Sequence, residues 1–187
     1  MMDTASKHNG KVFVRGAVVE NTMFYMGSLM TLLASSDETN NGFNLLEYSS
    51  QPGHEPPPHI HINQDELLYV LDGEIVAYCQ DQKVFVGSGE SIFLPRNEAH
   101  AWYVLSPKLR MLIFTQPGGL DAYFLAMSVS PATTMELPPA SITYVLDDPA
   151  HAIKIGLDKG IRILTPGETR ELLPRYPGFG VPPHERS

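Results

Sequence analysis

An all-β fold, a sandwich or barrel of short strands, is what this chain of 187 residues predicts. Three observations carry that expectation. Apolar runs of four to seven residues recur between residues 11 and 115. Turn-forming groups such as Asp72-Gly73, Gly87-Ser88-Gly89 and Pro95-Arg96-Asn97 part them at regular intervals. Helical periodicity is confined to the chain after Gly119, where Leu120, Tyr123, Phe124 and Met127 share one face.

Taken in order, residues 1–10 are polar and expected to be flexible, and Lys11–Gly16 (KVFVRG) reads as a first strand. The Met/Phe/Tyr/Leu-rich stretch Asn21–Ser35 is broken by Gly27-Ser28 and predicts two strands with a turn between them. A turn cluster follows at Ser36–Gly42, then strands at Phe43–Ser49, Leu67–Leu71 and Glu74–Cys79. Asp72-Gly73 between the last two is a hairpin signal. Lys83–Val86, Ser91–Leu94, Ala99–Leu105 and Leu109–Thr115 complete the β-rich part. The expected division is a β-barrel over 11–128 and a C-terminal extension over 129–187. The extension opens with a Pro-rich connection. It then holds a helix over about 149–159, with Asp148 as N-cap, Pro149 in the first turn, and Ala150, Ile153 and Leu157 as the apolar side. A short strand at Ile161–Leu164 and a Pro-rich tail without regular structure end the chain.

Composition narrows the function. Thirteen basic against 21 acidic residues give a net charge of −8, with no Lys/Arg run, so nothing favours nucleic acid or anionic lipid. No stretch approaches the roughly 20 apolar residues of a membrane span, and the polar N-terminus lacks the apolar core of a signal peptide. A cytoplasmic protein is expected. Cys79 is the one cysteine, so no internal disulfide can form; it reads as a small buried hydrophobe.

The chemistry concentrates in GHEPPPHIHINQDE, residues 53–66. On a strand His59 and His61 project to the same side and Ile60 to the other. Two imidazoles on an inward face are costly to bury unless satisfied, and a metal ion satisfies them. Pro56, Pro57 and Pro58 hold the preceding backbone extended, so the ligands arrive pre-ordered. After Asn63-Gln64-Asp65 the returning strand can bring Glu66 to the same cavity. Two histidines and a carboxylate suit iron, manganese, nickel, cobalt or zinc better than calcium or magnesium. His100, at the start of the strand after Pro95-Arg96-Asn97, is a fourth candidate. If Glu66 faces inward so do Leu68 and Val70; if His100 does, so do Trp102 and Val104. Trp102, Tyr69, Phe114 and the Met/Phe/Tyr run at 23–26, Phe24 and Met26 foremost, are candidates for lining a substrate pocket. His8, His54, His151 and His184 read as structural, and Glu55, Asp65, Glu90 and Glu98 as solvated.

Gly53-x5-His59-x-His61-x4-Glu66-x6-Gly73 resembles the first signature of the cupin superfamily, and Gly89-x5-Pro95-x4-His100 the second. Asn97 stands where the second usually has glycine, and Val104 where it often has asparagine. A weaker likeness covers nearly the whole chain: PPHIH, YVLDGE, FLPRNEAHAW, IFTQPGGLDAYF and GIRILTP resemble small single-domain proteins related to quercetin 2,3-dioxygenase. The resemblance implies a jelly-roll β-barrel with one or two short C-terminal helices. It also implies one divalent metal held by His59, His61, Glu66 and His100, and a homodimer. The implied activity is a metal-dependent dioxygenase, an oxidoreductase that brings dioxygen to a small enolic or hydroxylated aromatic substrate, flavonol- or polyketide-like. Glu66 would swing between the roles of ligand and base, which compete for it. The same ligands would also serve an isomerase, cyclase or lyase that uses the metal as a Lewis acid, or a cupin that only binds a small molecule.

Overall fold

The computed structural model describes residues 11–127, 130–141 and 149–181. Among the described residues, twelve strands form two antiparallel sheets. They are β1 (Thr22–Tyr25), β2 (Ser28–Ala34), β3 (Asn44–Ser50), β4 (His59–His61), β5 (Asp65–Asp72), β6 (Glu74–Cys79), β7 (Gln82–Gly87), β8 (Ser91–Leu94), β9 (Ala99–Val104), β10 (Leu109–Gln116), β11 (Ser130–Pro131) and β12 (Ile161–Ile163). One sheet has the order β11-β1-β2-β3-β10-β5-β8, the other β12-β4-β9-β6-β7. Three short helices complete the jelly roll: α1 (Leu120–Met127), α2 (Pro149–Asp158) and α3 (Pro166–Leu172). None of the described helices is long and apolar enough to cross a membrane.

Alternation of side chains along the strands builds the core between the sheets. Leu68 and Val70 of β5 face inward beside Ile113 and Met111 of β10, and Ile75 of β6 faces Val104 of β9. The opposite face of the five-stranded sheet is buried too. Ile60, Val76, Tyr78, Ala101 and Tyr103 lie under Leu164, Leu173 and Tyr176 of the C-terminal segment. Helix α3, absent from the sequence reading, delivers part of that cover. It starts on a capping box in which Thr165 Oγ1 accepts from the Glu168 N–H while the Glu168 carboxylate accepts from the Thr165 N–H.

Several expectations change. Lys11–Gly16 forms no strand: β11 already occupies the edge beside β1, and Val12 and Val14 are essentially fully exposed. Asp72-Gly73 is not a hairpin turn. β5 pairs with β10 and β8, and β6 with β7 and β9, so this pair of residues is the corner where the chain leaves one sheet for the other. Gly73 is required there: its φ is +96°, and a Cβ would lie 2.5 Å from the Lys108 carbonyl oxygen. Helix α2 buries Ala152 and Gly156, whereas Ala150, Ile153 and Leu157 are exposed, the last two at 43% and 50%. Gly156 sets that orientation by lying against the Ile161 carbonyl, 2.9 Å from where a Cβ would sit. Residues 1–10, expected to be flexible, Asp148, expected as an N-cap, and His8 and His184 lie outside the described residues.

Candidate metal centre

The three prolines lead straight into β4, which runs between β9 and β12. The register sets His59 directly opposite His100, and β12 closes the other edge with Ile161 opposite His61 and Ile163 opposite His59. Glu66 comes from the other sheet, on β5 between Thr115 and Leu94. The cluster therefore bridges the two sheets. His59, His61, His100 and Glu66 are all buried.

The ring nitrogens define what this cluster can accept. His59 Nδ1 lies 2.8 Å from the Pro57 carbonyl and His100 Nδ1 lies 3.1 Å from the Glu98 carbonyl. A carbonyl only accepts, so in both neutral rings the hydrogen sits on Nδ1 and Nε2 carries a bare lone pair. These two lone pairs face each other at 3.2 Å, and His61 Nε2 stands 3.1 Å from His59 Nε2. No hydrogen can bridge two bare nitrogens, whereas a cation between them can. Anchoring of the remote ring nitrogen by a backbone carbonyl is what a metal-binding histidine commonly shows. Three nitrogens about 2.1 Å from one centre lie about 3.0 Å apart at right angles and about 3.4 Å apart at the tetrahedral angle. The observed spacings fall between these limits. His61 Nδ1 is buried with no hydrogen-bond partner among the described residues. The Glu66 carboxylate stands farther off, with Oε2 at 3.4 Å from His100 Nε2 and Oε1 at 3.9 Å from His61 Nε2. The donor set thus fits a divalent ion of the iron-to-zinc series.

Burial tunes every member of the cluster. It lowers His59 despite the opposing Pro57 carbonyl. It pushes His61 and His100 well below the ordinary histidine range, with charge repulsion among the rings adding to it. The histidines are therefore neutral ligands at neutral pH. Burial also lifts Glu66 to about 8. A carboxyl group with that affinity holds a proton where an exposed glutamate would not.

A cavity of about 40 Å³ opens from the cluster. His59, His61 and Glu66 form its polar end. Its walls are Met30, Tyr48, Trp102, Ile113, Leu120 and Phe124, with Tyr25 and Tyr123, and Pro56, Pro57, Ile161 and Ile163 on the His59 side. Of the proposed lining residues, Trp102 is in this wall, edge-on to Tyr48 with ring centroids 5.5 Å apart. Tyr69, Phe114, Phe24 and Met26 are not. Tyr69 follows inward Leu68, so strand alternation turns it out to solvent, 38% exposed. Phe114 follows inward Ile113 and stacks outside on Phe43. Phe24 sits between inward Met23 and Tyr25 and lines a surface depression beside β11. Met26 sits in the β1–β2 turn at φ +45°. Within the run at 23–26 it is Tyr25 that lines the cavity. The sequence reading missed Tyr48 and Tyr123 as lining residues. Glu55, expected in solvent, is buried. It accepts from the Val104 N–H and the Gly53 N–H, each at 2.9 Å.

Residues 46–115 match the family model of the cupin domain, and the fold and the site agree with that match. Over 109 residues it is 25% identical to quercetin 2,3-dioxygenase of Bacillus subtilis (strain 168), a match covering 58% of this chain and 32% of that protein. The chain thus spans about a third of that relative's length. Among solved structures, a protein described as a predicted oxalate decarboxylase from Thermotoga maritima superposes with a TM-score of 0.51 at 22% identity. That superposition covers 57% of this chain and 99% of the other. The Streptomyces nucleoside dehydratase Pac13 gives 0.47 at 21% identity, covering 57% and 82%. At 22% identity the first of these speaks to the fold alone.

Proposed function

We propose that this protein is a metal-dependent cupin enzyme, an oxygenase acting on a compact enolic or hydroxylated substrate, with His59, His61, Glu66 and His100 holding one divalent ion. The observation that carries the reading is the pair of bare Nε2 atoms of His59 and His100, 3.2 Å apart and buried. The likeness to quercetin 2,3-dioxygenase supports oxygen chemistry. When bound, the ion would stabilise negative charge developing on a substrate oxygen.

The residues of the chain do the rest. The histidine rings, fixed through Pro57 and Glu98, keep their lone pairs aimed at one point. Glu66, ionised while it faces the ion, would take the proton of a substrate hydroxyl on the carboxylate oxygen that swings away, where burial favours the protonated form and so holds the proton through the reaction. Apolar walls from Met30, Ile113, Leu120 and Phe124 keep water from the reacting atoms. The cavity has room for about three waters. Anything larger enters only as wall residues such as Leu120 and Phe124 of α1 shift, and a compact substrate asks less of them than a flavonol-sized one.

The raised Glu66 also favours a second reading, proton transfer without oxygen by an isomerase or lyase. Oxygen consumption by iron-, manganese- or nickel-loaded protein with compact enolisable ketones separates the two. Uptake in step with substrate loss is expected. Equal substrate loss under nitrogen selects the second reading, and inertness of fully metal-loaded protein toward the whole panel contradicts both.

A further inference from the structure

Besides the metal-binding end, the cavity wall presents a pair of phenol groups. Tyr25 of β1 and Tyr123 of α1 are both buried, and their hydroxyl oxygens lie 3.1 Å apart. Two hydroxyls bring two hydrogens, and the bond between them uses one. The second has no acceptor among the described residues, although both rings line the cavity. Tyr48, in the same wall, differs: its hydroxyl donates to the His54 carbonyl at 3.1 Å and accepts from Ser28 at 2.9 Å. A buried O–H without an acceptor is costly and is rare in folded proteins unless it serves a ligand or water.

The pair is also held in place. Tyr25 packs edge-on against Phe124 with centroids 5.0 Å apart, and Tyr123 sits edge-on to both Tyr25 and Phe124. Burial raises both phenols above their ordinary range, so they remain neutral donors at any physiological pH. Among the described residues no Lys or Arg lines the cavity, so this part of the wall matches an uncharged acceptor better than a second anionic group.

We propose that Tyr25 and Tyr123 form an oxygen-binding subsite that donates the unused hydroxyl hydrogen to a substrate carbonyl, and so select compact substrates that carry a second, uncharged oxygen function away from the metal-bound one. This rests on the metal-dependent reading above, and it adds what lies at the far end of the substrate. Levulinate and 4-methylpentanoate are matched probes: each has a carboxylate for the metal end, and they differ by a keto oxygen against a methyl group.

Cobalt-loaded protein titrated with each, followed by the cobalt absorption spectrum, is expected to prefer levulinate by about tenfold or more, the scale of one added hydrogen bond to an otherwise unsatisfied buried group. Tyr25→Phe with Tyr123→Phe, which removes only two oxygens, should erase the preference. Cobalt content should stay that of the wild type, and 4-methylpentanoate should bind at least as well as before, because no hydroxyl is then left unsatisfied beside its methyl group. A preference that is absent from the wild type, or that survives in the double variant, overturns the subsite and leaves the metal site standing. So does failure of both acids to perturb bound cobalt. A wild-type protein that holds no cobalt overturns the metal reading, and the subsite with it.

Discussion

The two faces of β9 are both buried, yet they treat their polar groups in opposite ways. Outward, Ala99, Ala101 and Tyr103 lie beneath the C-terminal segment. There Tyr103 stacks on Tyr176 at a centroid distance of 5.1 Å and donates its hydroxyl hydrogen to the Gly178 carbonyl. Inward, His100, Trp102 and Val104 face the other sheet, and the His100 lone pair points at a second lone pair. One face has consumed its hydrogen-bonding capacity and the other has kept it open. Buried polar groups that serve stability are closed by protein partners. Those left open at the same depth mark where a ligand belongs.

That contrast is broken most forcefully at the inward face. His100→Ala removes one converging nitrogen and should weaken zinc binding by more than about 100-fold, beyond the loss usual for an outer-sphere change. A chelator competition titration checks this, and near-wild-type affinity would contradict the assignment. Glu66→Gln gives a signed effect of pH. In metal-free folded protein Glu66 keeps its proton to about 8, whereas the unfolded chain releases it near the ordinary value of 4.5. Between those values the unfolded state binds fewer protons, so stability falls as pH rises. Metal-free Glu66→Gln should therefore melt above metal-free wild type at pH 8, with the gap closing toward pH 4.5. With metal bound the order reverses, because the variant has lost a carboxylate ligand.

The outward face should behave as structure alone. Tyr176→Ala strips an aromatic ring from the cover over Tyr78 and Tyr103 and should cost about 2–4 kcal/mol in denaturant unfolding. Metal stoichiometry should remain that of the wild type. The smallest effect is expected at the start of α3, where Thr165→Ala removes a capping oxygen for about 1 kcal/mol. A loss of metal in either variant would mean that the two faces are coupled.

The same contrast separates what was legible in the sequence from what was not. His59 and His61 could be placed because a two-residue spacing on a proline-stiffened strand sets their shared face locally. Leu68, Val70, Trp102 and Val104 followed from Glu66 and His100 by alternation, and all four lie in the core. Tyr69 and Phe114 were chosen by residue type instead, although the alternation that placed Leu68 inward turns Tyr69 outward. Phe24 and Met26 could not be resolved from Tyr25 without the register of β1 against β2. Lys11–Gly16 has the composition of a strand, but pairing depends on a free edge, and β11 from far along the chain holds it. Gly73 carries the same lesson: Asp-Gly announces a reversal, while long-range pairing with β10 on one side and β9 on the other makes it a corner between sheets. Glu55 read as solvated because of its proline-rich loop. Its real partner, the Val104 N–H, is 49 residues away.

The most direct test is the anomalous difference map of a crystal of metal-loaded protein, collected at the absorption edge of the ion supplied. A single ion held by these four residues gives one strong peak per chain among His59 Nε2, His61 Nε2 and His100 Nε2, with the Glu66 carboxylate turned toward it. Fully loaded protein whose ion lies elsewhere, or the three rings bound only to protein groups with nothing between them, would contradict it.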